Sequence, residues 1–229
     1  MLAPFHPEEE ARFEVGALRE LLALSQDERV LDVGCGWGRH LTLLRRAGHL
    51  ATGLDLSPPL LRQARRDDDA APLVAGDMRH IPFRDAAFDV VLNLASSLGL
   101  FLDDESALAA LRDMRRVLRP GGRLLLEGMH RDDVVAGYAE RDAWELEDGT
   151  RVRARRRFDA VRGVSHEVLR WNGALGRGGS RHSLRLRTAT ELVALVTGAG
   201  LHAVDLWGDW NQEPFTRASP RLILLAGRA

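Results

Sequence analysis

The chain has 229 residues, 45% of them apolar, and a formal net charge of −1. That suits one α/β-sized domain with a large core and gives bulk charge no preferred partner. All 32 basic residues are arginine. The absence of lysine excludes a Walker A loop, the tyrosine–lysine pair of short-chain dehydrogenases, Schiff-base chemistry and a kinase-type lysine.

Cys35 is the sole cysteine, so a disulfide framework, a cysteine zinc site and an iron–sulfur cluster are excluded within one chain, and no metal is expected. A reducing, cytoplasmic setting fits. The start, MLAPFHPEEE, is acidic and does not read as a signal peptide. The longest uncharged stretch, Val90 to Leu102, has 13 residues, too few to span a bilayer.

Residues from about Pro7 to Leu24 read as a helix, with Ala11, Val15, Leu18 and Leu22 on one face. A short buried strand, Val30 to Val33, then runs through glycines into a helix striped by Leu41, Leu44 and Ala47 and closed by Gly48. A second strand ends at Asp55, Pro58 starts a helix, and a third strand ends at Asp77. FDVVLNL, apolar throughout, suits a strand buried on both faces. Asp103 or Asp104 caps a helix that runs to about Leu118, Pro120-Gly121-Gly122 stops it, and RLLLEG is a fifth strand. The alternation predicts a parallel, doubly wound α/β sheet with right-handed crossovers.

After Gly128 the pattern becomes antiparallel β. Placing Trp144, Leu146, Val152, Ala154 and Phe158 on one face requires even positions to pair with even ones, hence a three-residue loop with Gly149 left-handed. Two more strands follow, near Val164–Trp171 and His182–Arg187, around a flexible tip, GALGRGGSR. Thr188-Ala-Thr-Glu191 is a capping box whose helix ends at Gly200. LHAVDLW and RLILLAG are the closing strands. Residues 1–229 form a single domain with an inserted antiparallel module at about 140–187.

The informative residues fall at the carboxyl ends of the strands, where open α/β sheets bind ligands. Gly34-Cys35-Gly36-Trp37-Gly38 turns from the first strand into its helix. Asp55 lies 21 residues beyond Gly34, where an acid can grip a ribose diol. Asp77 and Met78 end the third strand, and Asn93-Leu94 ends the fourth.

DVGCGWG, GLDLS, AGDM and LRPGGRLLLEG, in order and spacing, resemble the class I S-adenosylmethionine-dependent methyltransferases of a bacterial small-molecule-type branch. The resemblance implies a Rossmann-like sheet of seven strands with the last antiparallel. It implies that Gly34, Cys35, Gly36 and Gly38 pass under the methionine part of S-adenosylmethionine, with S-adenosylhomocysteine as product. Asp32 would orient the loop or meet the amino group, and Asp55 would hold the ribose hydroxyls. Leu56 and Met78 would sandwich adenine, and Asp77 would meet its amino group. Asn93 or Leu94 would offer a carbonyl to the ammonium, and Arg12 or Arg39 would pair the carboxylate.

A small-molecule N or O acceptor is expected, with His130 as general base, then His182, then His166. Ser96, Ser97, Arg185 and Tyr138 are candidates for the acceptor pocket. The strand-four sequence NLASS lacks the Asn-Pro-Pro-Tyr type motif of exocyclic amine methylation. Cys35 is misplaced for methylation at cytosine C5. Residues 141–187 hold 12 arginines and 6 acids, so an RNA methyltransferase is one alternative. The inferred register nevertheless puts Arg151, Arg153, Arg155 and Arg157 beside Glu145 and Glu147, an ion-paired outer face. A non-catalytic cofactor-binding protein is the second alternative. A nicotinamide enzyme would read GxGxxG where this chain reads GxGxG. The chain is expected to act as a monomer or homodimer, without a membrane.

Overall fold

The computed structural model describes residues 8–174 and 176–229. Pro7 and Leu175 therefore lie outside the described residues. The chain runs α1 (Glu8–Leu21), β1 (Arg29–Val33), α2 (Arg39–Arg46), β2 (Leu50–Asp55), α3 (Pro58–Asp67), β3 (Leu73–Ala75), β4 (Phe88–Asn93), α4 (Asp104–Val117) and β5 (Leu118–Met129). It continues through α5 (Arg131–Ala136), β6 (Arg141–Glu145), β7 (Arg151–Asp159), β8 (Val164–Gly173), β9 (Gly176–Arg185), α6 (Ala189–Gly198), β10 (His202–Trp207) and β11 (Arg221–Gly227).

Seven strands form one sheet in the order β10-β11-β5-β4-β1-β2-β3. The last strand, β11, is antiparallel to both its neighbours, β10 and β5, as expected. Adjacent strand residues serve opposite faces. Leu31, Val91, Leu124 and Leu224 pack with α4 and α6. Val30, Val90, Leu125 and Ile223 pack with α1 and α2. Every residue of β4 is buried, which is why its sequence shows no polar alternation. Strand order reverses between β1 and β4, so the connections diverge there and leave a crevice at the carboxyl edge.

Local signals explain the helix ends. Gly48 (φ 89°) follows α2 and donates to the Arg45 carbonyl, while His49 donates to that of Leu44. This pairing satisfies two carbonyls that the helix leaves free. The Asp103 side chain accepts the Ser106 N–H at the start of α4. Thr188 and Glu191 form the expected reciprocal capping box.

The second sheet has the order β6-β7-β8-β9. Trp144 faces Val152, even opposite even, and Leu146 donates to Thr150 across a three-residue loop in which Gly149 has φ 79°. The expected register is correct, but the expected ion-paired outer face is not. Arg151 reaches Glu145 at 3.2 Å, while Arg153, Arg155 and Arg157 make no salt bridge among the described residues.

Three boundaries also differ. Within GALGRGGSR, Gly173 and the residues from Gly176 to Arg181 are paired strand rather than a flexible tip. A Cβ at Gly178 would sit 2.5 Å from the Trp171 ring, so the glycine gives the indole clearance rather than the chain freedom. β3 ends at Ala75, leaving Asp77 in the following loop. Pro120-Gly121-Gly122 lies within the start of β5, where the register against β4 shifts. No helix among the described residues is long and apolar enough to cross a membrane.

Thr188→Ala removes one half of the capping box and should cost about 1 kcal/mol. In a chain of this size that lowers Tm by about 2–4 °C in a thermal melt. An unchanged Tm would mean that α6 is fixed by packing alone.

Candidate active site at the carboxyl edge of the sheet

Three closely spaced glycines in positive-φ backbone carry the chain from β1 to α2: Gly34 (81°), Gly36 (57°) and Gly38 (83°). Two are crowded. A Cβ at Gly34 would lie 2.9 Å from Ser97 Oγ, and one at Gly38 3.0 Å from the Ala64 methyl. Gly36 has nothing within 4 Å of that position, so its backbone is open to close approach by a ligand. Cys35 points back into the core, where a Cβ on Gly53 would touch its sulfur at 2.7 Å. Burial pushes its thiol well above the ordinary range, and it is chemically quiet.

Asp55 organises this loop. Its Oδ2 accepts the Gly36 N–H (2.8 Å) and its Oδ1 the Ser57 N–H (2.8 Å). A carboxylate has about four acceptor positions, so two remain for a ligand's hydroxyls. Asp32, at the end of β1, is buried. Burial pushes its carboxyl up to about 6; His40 and Arg39 pull against that shift, and Asp55 adds to it. Two carboxylates that feel each other's charge suit a cationic ligand.

The other expected residues are variously placed. Leu56 projects from the edge with 69% of its surface exposed, while Met78 is half-buried against the core. Asp77 holds Arg79 through both carboxylate oxygens, with Nη2 at 2.6 Å. The Asn93 side chain accepts the Leu98 N–H and donates to the Val33 carbonyl, tying β4 to the end of β1. The Leu94 carbonyl takes both the N–H and the hydroxyl of Ser97. Arg39 faces Glu14 at 2.9 Å and Glu10 at 3.5 Å, while Arg12 pairs with Glu8 on the surface.

Beyond β4 the chain makes an elbow in which two non-glycine residues, Ala95 (φ 51°) and Ser96 (φ 61°), are left-handed. Such residues cost about 1–3 kcal/mol each and persist only where surroundings enforce them. Here Glu127 enforces them: its carboxylate accepts the Ala95 N–H at 2.7 Å and its carbonyl the Ser96 N–H at 3.0 Å. Arg221 holds Glu127 at 2.8 Å and reaches Glu10 at 3.1 Å and Glu14 at 3.5 Å. Glu14 is buried, which pushes its carboxyl up. Bonding to His40 (2.7 Å) and the charges of His40, Arg39 and Arg221 outweigh that and hold it below its usual range. Sequence reasoning missed Glu14, Glu127 and Arg221. Two signals were present: Glu14 interrupts the apolar stripe of α1, and Glu127 is the only charge in the LLLEGM run.

A small pocket opens beside this elbow, walled by Ser96, Glu127, Gly128, Leu186 and Leu192, with Arg185 and Arg187. None of the three candidate histidines lines it. His130 lies at the end of β5, but only 2% of it is exposed. Its Nδ1 is 3.1 Å from the Ser219 carbonyl and its ring is edge-on to Phe215. His182 faces Glu167 at 3.1 Å in the second sheet, and His166 pairs with Ser183 on the opposite face of that sheet. Ser97 is spent on Leu94, and Tyr138 on Ser165 at 3.1 Å. Among the described residues no cluster of His, Cys, Asp and Glu side chains could hold a metal ion.

A methyltransferase-domain family model matches residues 31–126, the segment that builds this edge. A malonyl-[acyl-carrier protein] O-methyltransferase from Pseudescherichia vulneris is 32% identical over 202 residues, covering 86% of this chain and 73% of its own. This chain belongs to the class I S-adenosylmethionine-dependent methyltransferases. The CcbJ methyltransferase of Streptomyces caelestis shares the fold, with a TM-score of 0.86 at 20% identity over 99% of this chain and 98% of its own. S-adenosylmethionine-bound CalS10, an amino pentose methyltransferase from Micromonospora echinaspora, matches with a TM-score of 0.74. Its identity is 26%, over 97% of this chain and 91% of its own. The methyltransferase therefore has the expected fold, enzyme class and cofactor.

Asp32 gives the site a pH signature. Its folded-state value of about 6 lies above the ordinary 3.8, so the native protein binds an extra proton between the two values. Stability therefore falls as pH rises through that window. Asp32→Asn should melt higher than the parent at about pH 8, by up to about 3 kcal/mol, with the gap closing near pH 4. Melts of ligand-free protein check this; a gap independent of pH would refute it.

Proposed function

We propose that the enzyme methylates an N or O atom of a small-molecule acceptor seated in the pocket beside Ser96. S-adenosylmethionine would lie along Gly34–Gly38, Asp55 and the end of β4. The observation that carries this reading is the juxtaposition of the open Gly36 backbone, the half-satisfied Asp55 carboxylate and the enforced Ala95–Ser96 elbow at the strand reversal. The two relatives named above, a malonyl-[acyl-carrier protein] O-methyltransferase and an amino pentose methyltransferase, support transfer to an O atom in one case and to an amino sugar in the other.

The bound cofactor supplies a methyl group already activated on a sulfonium. The protein's residues have to bind, align and dry the reactants. Asp55 offers its two free acceptor positions to ribose hydroxyls. Asp32, deprotonated above about pH 6, offers negative charge to the cationic end. Leu56 gives adenine an exposed apolar face. Asp77 meets the adenine amino group only by sharing a carboxylate that Arg79 already grips. Leu186, Leu192 and Leu222 exclude water from the acceptor side.

This reading assigns no histidine as general base, because His130 and His182 are both turned to other partners. The acceptor then arrives with a free lone pair, or loses its proton to solvent. The second sheet forms the outer pocket wall through Arg185. A cytoplasmic location agrees with the single buried thiol.

Calorimetric titration with S-adenosylmethionine and S-adenosylhomocysteine tests the cofactor site. Asp55→Ala should weaken both by about 10- to 100-fold, the worth of charge-assisted hydrogen bonds, and an unweakened variant would sink this placement. Release of S-adenosylhomocysteine is then followed against amine, hydroxyl, carboxylate and RNA acceptors. Turnover confined to RNA would overturn the small-molecule reading, and turnover of none would favour a cofactor-binding protein without catalysis.

A further inference from the structure

Two arginines wall the pocket beside Ser96. Arg187 leaves only 6% of its surface exposed, and its Nε has no hydrogen-bond partner. Its Nη2 reaches Asp104 at 3.0 Å and the Phe101 carbonyl at 3.4 Å. The Asp104 side chain, its one direct ion-pair partner among the described residues, is 58% exposed and screened by water, and Glu191 adds only a more distant opposite charge. Burial pulls the Arg187 pKa down, yet a guanidinium stays charged at any physiological pH. A buried charge with so little compensation is costly unless a ligand completes it. Arg185 lies on the same wall, with Nη2 3.1 Å from Glu191 and Nη1 on the Arg162 carbonyl.

Positive charge continues outward from this wall. Arg185 shares the outer face of the second sheet with Arg181, Arg155 and Arg153, all three exposed. On that face Arg153 stands directly opposite Arg170, and Arg141 opposite Arg155. Like charges placed opposite each other destabilise an antiparallel pair. A sequence that accepts this twice on one face breaks a local rule without structural gain, which marks a role for the charge.

We propose that the methyl acceptor carries an oxyanion, a carboxylate or a phosphate monoester, seated by Arg187 and Arg185 in this pocket and drawn there by the arginine face. The proposal rests on the reading that this pocket receives the acceptor. The planar guanidinium fork matches both oxyanions through paired N–H donors. The clustered charge of the face raises the local concentration of anions and speeds their capture.

The test uses full-length protein saturated with S-adenosylhomocysteine. Malonate, inorganic phosphate and neutral malonamide are titrated by calorimetry at about 20 and about 200 mM salt, on either side of the range where surface charge is screened. Malonate or phosphate should bind and malonamide should not; which of the two binds more tightly identifies the oxyanion. Arg187→Met should weaken the bound anion by about tenfold or more while S-adenosylhomocysteine affinity stays unchanged, and Arg187→Lys should restore part of the loss. Arg153→Glu with Arg170→Glu should weaken anion binding at low salt only. Anions binding no better than malonamide, or equally well to Arg187→Met, overturn the proposal. Failure of the wild type to bind S-adenosylhomocysteine overturns the cofactor placement instead.

Discussion

The Arg221 guanidinium joins the paired strands β11 and β5 to a helix, α1, that no backbone ladder ties to them. It stands on β11, reaches Glu127 on β5, and meets Glu10 and Glu14 on α1. Each carboxylate in turn fixes something else: Glu127 the left-handed elbow after β4, Glu14 the His40 and Arg39 side chains at the start of α2. Arg221 is itself about a third exposed, but Glu127 and Glu14 are buried, so removing the guanidinium strands buried carboxylate charge, which is destabilising. The α2 start beside the glycine loop and the pocket beside Ser96 are thereby held in register by charge, while the apolar core beneath sets where the strands lie.

Patterning made much of the architecture legible. The unbroken apolar run at β4 announced burial on both faces, and the alternation around Trp144 settled the register of β6 against β7 down to the left-handed glycine. Those signals are local, repeating over a few residues. The clamp was not legible because its partners are 94 and 211 residues apart along the chain, and no periodicity links them. The GALGRGGSR segment misled for a related reason. Glycine permits both mobility and close packing, and only the position of Trp171 across the strand distinguishes the two. His130 sits at the end of β5, as its place after RLLLEG implies, but its ring orientation depends on Phe215 and Ser219, which arrive much later in the chain.

The second sheet shows a division of labour between its faces. One face buries Val152, Ala154, Leu169 and Trp171 into a small core of its own. The other turns arginines to solvent, and through Arg185 it also reaches the wall of the main site. The same strands therefore stabilise the module and set the electrostatic character of the pocket entrance. Alternation of side chains along a strand allows both at once.

The clamp also bears on how the protein is made. Glu10 leaves the ribosome 211 residues ahead of Arg221. At about 5–20 residues per second, that is a wait of roughly ten to forty seconds. Through that interval α1, the glycine loop and the elbow after β4 can all be synthesised, but Glu127 lacks the cation that holds it. The nascent chain can lay down most of its parallel sheet while the ligand edge stays loose. The brace on the Ala95–Ser96 elbow is thus completed only when β11 is made, and until then water screens those carboxylates.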